Sequence, residues 1–146
     1  MDVTAELDAP APPSALFAAV EDLDRYPSWL DIVPRAERVA GVASDPGPAW
    51  SVDLRGRLGP LARSKRLRMV RTDHEPEPLA RFERAEVDGR RHSPWVLTAT
   101  VRPTDVGSHL TMGLHYGGGL FGPVIERILV EEIERSKPRL LAILTA

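Results

Sequence analysis

The last stretch of the chain, residues 121–144, constrains the fold more than any other. Set out at about 100° per residue, Phe121, Ile125, Ile128, Leu129, Ile133, Leu140, Ile143 and Leu144 share one broad stripe. Glu126, Arg127, Glu131, Glu134 and Arg135 take the flanks and back, and Glu131 and Arg135 are spaced for an i,i+4 pair. This is an amphipathic helix that must lie across an apolar surface. Two polar residues interrupt its buried side, Glu132 at the edge and Ser136 in the middle. Gly117-Gly118-Gly119 ends the preceding segment, and Pro123 suits a first helical turn, where its missing N–H costs nothing. Pro138 lies well inside the run and predicts a kink there, or a stop near Ser136 and a restart.

The surface under that helix has to be a sheet. From Arg35 onward the apolar period is two, and strands are predicted at residues 36–43, 49–57, 62–72, 79–87, 93–102 and 109–117. They are separated by turn-forming stretches such as Asp45-Pro46-Gly47-Pro48, Leu58-Gly59-Pro60, Glu75-Pro76-Glu77-Pro78 and Asp88-Gly89. Gaps this short join antiparallel neighbours, because a parallel crossover needs about a dozen residues or more. Ahead of them come a short β-compatible segment at 3–7 and a helical pattern at 14–23 carrying Leu16, Phe17, Val20 and Leu23. Arg25-Tyr26-Pro27-Ser28-Trp29-Leu30 follows as a second short helix or turn. The order is strand, two helices, six strands, long helix: one α+β domain spanning residues 1–146.

Side-chain parity indicates which face each strand turns inward. Trp50, Val52 and Leu54 share one parity, as do Leu67 and Met69, as do Trp95, Leu97, Ala99 and Val101, and as do Leu110, Met112, Leu114 and Tyr116. A curved sheet with these residues on its concave face, closed by the helical stripe, makes either a packed core or a pocket.

Charge and composition narrow the classes of function. A net charge of −2 gives no global attraction to nucleic acid or anionic membrane. Eleven basic residues do lie between Arg55 and Arg91. Arg55, Arg57, Arg63, Lys65, Arg66, Arg68 and Arg71 interleave with apolar residues as a solvated outer sheet face requires, and no aromatic stacking platform accompanies them. The chain has no cysteine, which excludes disulfides, thiolate metal sites and cysteine nucleophiles and suits a reducing cytoplasm. No apolar run approaches the roughly 18 residues of a membrane span, and the N-terminus lacks the pattern of a signal peptide. A cytoplasmic protein without stable membrane insertion is expected.

Candidate chemistry is sparse. His74, His92, His109 and His115 have no metal-ligand spacing, so neither a metal nor another cofactor is expected. None of the serines stands in a G-x-S-x-G setting. The glycine triplet at 117–119 resembles a phosphate loop but lacks the following Lys-Ser/Thr, and reads as a flexible strand-to-helix turn. Glu132 and Ser136, one helical turn apart, point along the same edge of the concave space. Glu132 is either a base or ligand-orienting group, or a rim carboxylate paired with an arginine such as Arg81. Trp29, Trp50 and Trp95 read individually as core anchors. With Tyr116 they bring four polar tips that need partners, which a ligand or water would supply.

The opening strand, the proline-rich turn into Ala15-Leu16-Phe17-Ala18-Ala19-Val20, and then Tyr26-Pro27-Ser28-Trp29 together resemble the START-like superfamily, also labelled SRPBCC or polyketide cyclase/dehydrase. Phe82, Asp88-Gly89, Trp95-Val96-Leu97, Gly107-Ser108-His109-Leu110-Thr111 and the closing helix fit the same plan. The resemblance implies a helix-grip fold, about seven strands wrapped on the C-terminal helix, with a hydrophobic cavity between. It implies a ligand more firmly than a reaction, since the superfamily includes lipid carriers and aromatase/cyclases. The expected function is binding, with transport as its extension, of a small hydrophobic molecule such as a lipid, polyketide or aromatic metabolite. Trp50, Met69, Trp95, Leu97, Met112, Tyr116, Leu129, Ile133 and Ser136 would line the site, with Trp29 near its mouth. A cyclase, aromatase or dehydratase using Glu132 or Tyr116 as acid or base is the alternative. A module binding a protein partner through the basic strands is the third. The loop at 58–60 and the glycine turn are candidate gates. Oligomeric state is left open.

Overall fold

The computed structural model describes residues 1–58, 61–76, 78–117 and 125–146, and of residues 57, 58, 61–63 and 125 the backbone only. Phe121, Pro123 and most of the two candidate gates therefore lie outside the described residues. The chain runs β1 (Asp2–Ala9), α1 (Pro13–Val20), a 3-10 turn (Leu23–Ser28), β2 (Arg35–Val39), β3 (Ala49–Leu58), β4 (Leu61–Glu75), β5 (Leu79–Arg84), β6 (Trp95–Thr104), β7 (Gly107–Tyr116) and α2 (Ile125–Leu144). All neighbours are antiparallel in one seven-stranded sheet of order β1-β7-β6-β5-β4-β3-β2.

Short gaps and period-two patterning gave the antiparallel order correctly, with boundaries shifted by a few residues. β2 ends at Val39, where Gly41 and the Asp45-Pro46-Gly47-Pro48 turn follow, and not at residue 43. β5 stops at Arg84, short of the Asp88-Gly89 turn in which Gly89 adopts φ 72°. β4 runs on to Glu75, with a register shift between Arg71 and Asp73 that bends the strand. β7 begins at Gly107, where a Cβ would meet the Ala9 carbonyl oxygen at 2.1 Å, so only glycine lets the β6–β7 turn approach the end of β1.

The parity sets share the concave face as expected: Val52 pairs with Leu67, Trp50 with Met69, Leu97 with Leu114 and Ala99 with Met112. One assignment is corrected. Lys65 and Arg71 have the parity of Leu67 and Met69, so they stand on the inner face and not with the outward Arg55, Arg66 and Arg68. Arg71 reaches Asp22 at 2.9 Å and the Glu21 carbonyl at 2.8 Å, which fastens β4 to the start of the 3-10 turn.

Helix α1 is shorter than the 14–23 pattern because its last carbonyls are taken by side chains from the segment that follows. Tyr26 donates its hydroxyl to the Val20 carbonyl at 3.0 Å, and Trp29 donates Nε1 to the Ala19 carbonyl at 3.2 Å. Orphan carbonyls at a helix end need partners, and here two aromatic rings supply them. The same rings pack at 4.9 Å from each other, and Tyr26 meets Phe82 edge-on at 6.4 Å. The Tyr-Pro-Ser-Trp motif is thus a clamp holding α1 and the 3-10 turn to the sheet. Burial pushes the Tyr26 phenol above its ordinary pKa, so it stays a neutral donor.

Helix α2 touches β1, β3 and α1, crossing the concave face from one sheet edge towards the other. Ile128, Leu129, Ser136 and Leu140 are buried, while Ile133, Leu141 and Leu144 pack against the core in part. One alternative and one assignment fail here. The helix does not stop near Ser136 but continues through Pro138. Pro138 and Glu134, whose carbonyl it deprives of an N–H, are both exposed, so water can satisfy that oxygen. Ile143 is 44% exposed and not on the buried face, although Leu141 and Leu144 on the same last turn pack against the core. The helix surface carries Arg127–Glu131 at 3.6 Å, Glu132–Arg135 at 2.6 Å and Glu134–Lys137 at 2.7 Å. Arg135 has therefore taken Glu132, leaving Glu131 to Arg127 and Arg81 to Glu83.

Candidate functional site

The concave face is filled at one end and hollow at the other. At the filled end Trp50, Phe82, Tyr26 and Leu16 are each at most 1% exposed, and Trp50 meets Phe82 edge-on at 5.6 Å. Trp50 Nε1 donates to Asp24 Oδ1 at 2.8 Å, and the Arg38 guanidinium sits 4.9 Å from its ring centroid. At the other end, under α2, lies a cavity of about 140 Å³. An apolar cavity of about 150 Å³ is enough to hold benzene, so this void takes a guest of at least that class without rearrangement.

Its wall is built from seven parts of the chain. Val52 and Leu54 come from β3, Leu67 and Met69 from β4, Trp95 and Leu97 from β6, and Leu110, Met112 and Leu114 from β7. Val3 and Leu7 add β1, and α2 covers the space with Leu129, Ile133, Ser136 and Leu140. Leu30, Ile32 and Val33, just after the clamp, close one side. The parity argument named none of the β1 or post-clamp residues. Leu30, Ile32 and Val33 were a legible apolar signal, but the side they take depends on how the 3-10 turn docks.

Of the expected binding residues, Trp29, Met69, Trp95, Leu97, Met112, Leu129, Ile133 and Ser136 are on the cavity wall. Trp50 and Tyr116 are not. Trp50 has inward parity but is covered by Arg38, Phe82 and the 3-10 turn. Tyr116 stacks behind Trp95, centroids 5.2 Å apart, and its hydroxyl is 2.8 Å from Met1 Sδ. Burial, with the Glu126 charge, raises the Tyr116 phenol above its ordinary pKa. Glu132 does not line the cavity either, since its carboxylate is turned to Arg135. The two candidate acid–base groups are thus both engaged away from the void.

The polar tips around the cavity can be counted against their partners. Tyr26 and Trp29 cap α1, Ser136 donates to the Ile133 carbonyl at 2.6 Å, Lys137 pairs with Glu134, and Glu6 meets His109 at 3.2 Å. Trp95 differs. It is 5% exposed, and its Nε1 has no partner among the described residues. Lys65 Nζ stands 5.8 Å from the same indole's ring centroid.

The histidines lie elsewhere. His109 contacts Asp8 at 2.6 Å and His115 contacts Asp2 at 2.9 Å across the β1–β7 pairing, His92 contacts Asp88, and His74 contacts Glu21. Among the described residues, no three His, Asp or Glu side chains are grouped as metal ligands would be. Nor, among them, is any helix long and apolar enough to cross a membrane.

A seven-stranded antiparallel sheet gripping a C-terminal helix over an apolar void is the helix-grip fold of START-like proteins. The model of the family described as polyketide cyclase/dehydrase and lipid transport matches residues 1–143, and the chain belongs to that family. Solved structures agree in fold. Protein CV1439 from Chromobacterium violaceum superposes with a TM-score of 0.71 at 14% identity, covering 99% of this chain and 97% of that one. A START superfamily protein from Mycobacterium smegmatis gives the same TM-score, identity and coverages. Protein MLL2253 from Mesorhizobium loti has a TM-score of 0.67 at 16% identity, again over 99% and 97% of the two chains. No curated protein matches the chain.

Proposed function

We propose that this protein binds a small hydrophobic molecule in the cavity between the sheet and α2, in the reducing cytoplasm that a cysteine-free chain suits. The observation that carries the reading is the hollow itself. Leucine, valine, isoleucine and methionine side chains face a void while the adjoining half of the same concave face is fully packed. Membership of a family whose description includes lipid transport supports the same reading. Burial of apolar surface, at roughly 25 cal/mol per Å², supplies the affinity. An eight-carbon chain gains about 0.8 kcal/mol per buried methylene, so roughly 6 kcal/mol gross before the cost of association. Since roughly 6 kcal/mol with no association cost corresponds to about 40 μM, a dissociation constant in the range of about 0.1–1 mM or weaker follows for such a minimal guest.

Calorimetric titration with n-octanol tests this. Saturable binding in that range is expected, with loss of it in Ile133→Trp, whose larger ring fills the void from the α2 side. No heat of binding with n-octanol, toluene or a longer alcohol would overturn the reading. The family description also names cyclase/dehydrase chemistry. With Glu132 and Tyr116 both turned away, the geometry favours carriage over catalysis.

A further inference from the structure

Two neighbouring side chains on the inner face are unlike everything else around the cavity. Trp95 carries a buried N–H donor without an acceptor among the described residues. Leaving such a donor unpaired is costly, and the other polar groups at the wall avoid it. Lys65 is the second. It stands opposite the cavity residue Leu54 in the β3–β4 pairing and two residues before Leu67, another wall residue. Its ammonium forms no ion pair or hydrogen bond with any described residue and rests beside the Trp95 indole, 5.8 Å from the ring centroid.

The charges facing Lys65 do not compensate it. Arg84, of inward parity on β5, opposes the ammonium, and Glu86 attracts it from beyond ion-pair distance. Glu86 is committed elsewhere, accepting the Arg68 backbone N–H at 2.8 Å and lying 3.5 Å from Arg84 Nε. Burial, with the Arg84 charge, holds the lysine below its usual pKa. Lys65 is not on the cavity wall but lines an adjoining depression with Leu54 and Ser64, beside the Trp95 ring. A cation there, next to an N–H donor on the wall, is complementary to one kind of group: an anion with acceptor oxygens. Charge-assisted hydrogen bonds of about 2.8 Å to each would satisfy both at once.

We infer that the ligand is an anionic amphiphile, with its apolar body in the cavity and a carboxylate-type head group held by Lys65 and the Trp95 N–H. This rests on the reading of the cavity as an apolar-ligand site and goes beyond it by naming the head group. It also assigns Lys65 as the specificity-determining residue, in place of Tyr116 and Glu132.

The test is a titration of the whole protein at neutral pH with three probes of equal chain length: n-octanoate, n-octanol and n-octylamine. Octanoate is expected to bind roughly tenfold or more tighter than octanol, and octylamine weaker than both. Lys65→Met should remove the advantage of octanoate over octanol, whereas Lys65→Arg keeps it. Trp95→Phe should lose part of it. Equal binding of octanoate and octanol by the unaltered protein would overturn the head-group assignment while leaving the apolar site standing. That comparison needs no variant to fold. Retention of the preference in a folded Lys65→Met would overturn it too, and binding of none of the three probes would remove the cavity reading itself.

Discussion

The two ends of the concave face are made from similar residues and behave differently. One end holds Trp50, Phe82, Tyr26 and Leu16, all at most 1% exposed, beneath α1 and the 3-10 turn. The other holds Trp95, Leu97, Met112 and Ile133 around a void beneath α2. At the packed end the Trp50 indole N–H has Asp24, and Tyr26 and Trp29, which also border the cavity, have the Val20 and Ala19 carbonyls. At the hollow end the Trp95 N–H and the Lys65 ammonium have none among the described residues. Aromatic content therefore does not distinguish the two ends; unsatisfied polar capacity beside unfilled apolar space does. A short helix laid close on the sheet seals one half, and a long helix spanning the width leaves room in the other.

The sharpest way to break this contrast is a matched pair of truncations. Leu16→Ala removes a side chain with no exposure from the packed end and should cost about 2–5 kcal/mol in urea unfolding, because a new cavity opens. Leu97→Ala acts on a half-buried wall that already borders a void, and about 1–2 kcal/mol is expected. Equal costs would mean that the hollow end is as tightly packed as the other. Next in size, Tyr26→Phe deletes the hydroxyl that caps α1 and leaves the Val20 carbonyl unpaired in the core. A loss of about 1–3 kcal/mol is expected, with hydrogen exchange accelerated in α1 more than in α2.

The smallest effect concerns the sheet edge that α2 leans on. His109 has its pKa raised by the Asp8 hydrogen bond and by Glu6, against partial desolvation and the opposing Arg102 charge. A raised folded-state value stabilises the protein below the unfolded histidine pKa of about 6.5, and the contribution is lost as pH rises through the folded value. Stability measured from pH 6 upward should fall through that window in the unaltered protein, and less in His109→Gln. A rise over the same window would contradict the pairing.

Most of the fold was legible because its signals are local. Period-two runs with short gaps allow only antiparallel neighbours, and the 121–144 stripe needs a surface to cover. What escaped were properties of docking. Pro138 reads as a breaker, yet its neighbour Glu134 faces solvent, a fact of orientation that no propensity carries. Trp50 and Tyr116 have the right parity and still miss the cavity, because Arg38, Phe82 and the 3-10 turn cover one and Trp95 covers the other. Lys65 was within reach. The alternation that turned Leu67 and Met69 inward also turns Lys65, but its place among seven basic residues between Arg55 and Arg71 made it look like one more solvated charge.

Methyl-resolved NMR of the protein titrated with n-octanol probes the central claim most directly, since both halves are seen in one spectrum. Saturable shifts are expected for Leu97, Met112, Leu129 and Ile133, with Leu16 and Val20 unmoved. Shifts spread evenly over both groups, or none in the first group at millimolar alcohol, would contradict a hollow that receives an apolar guest.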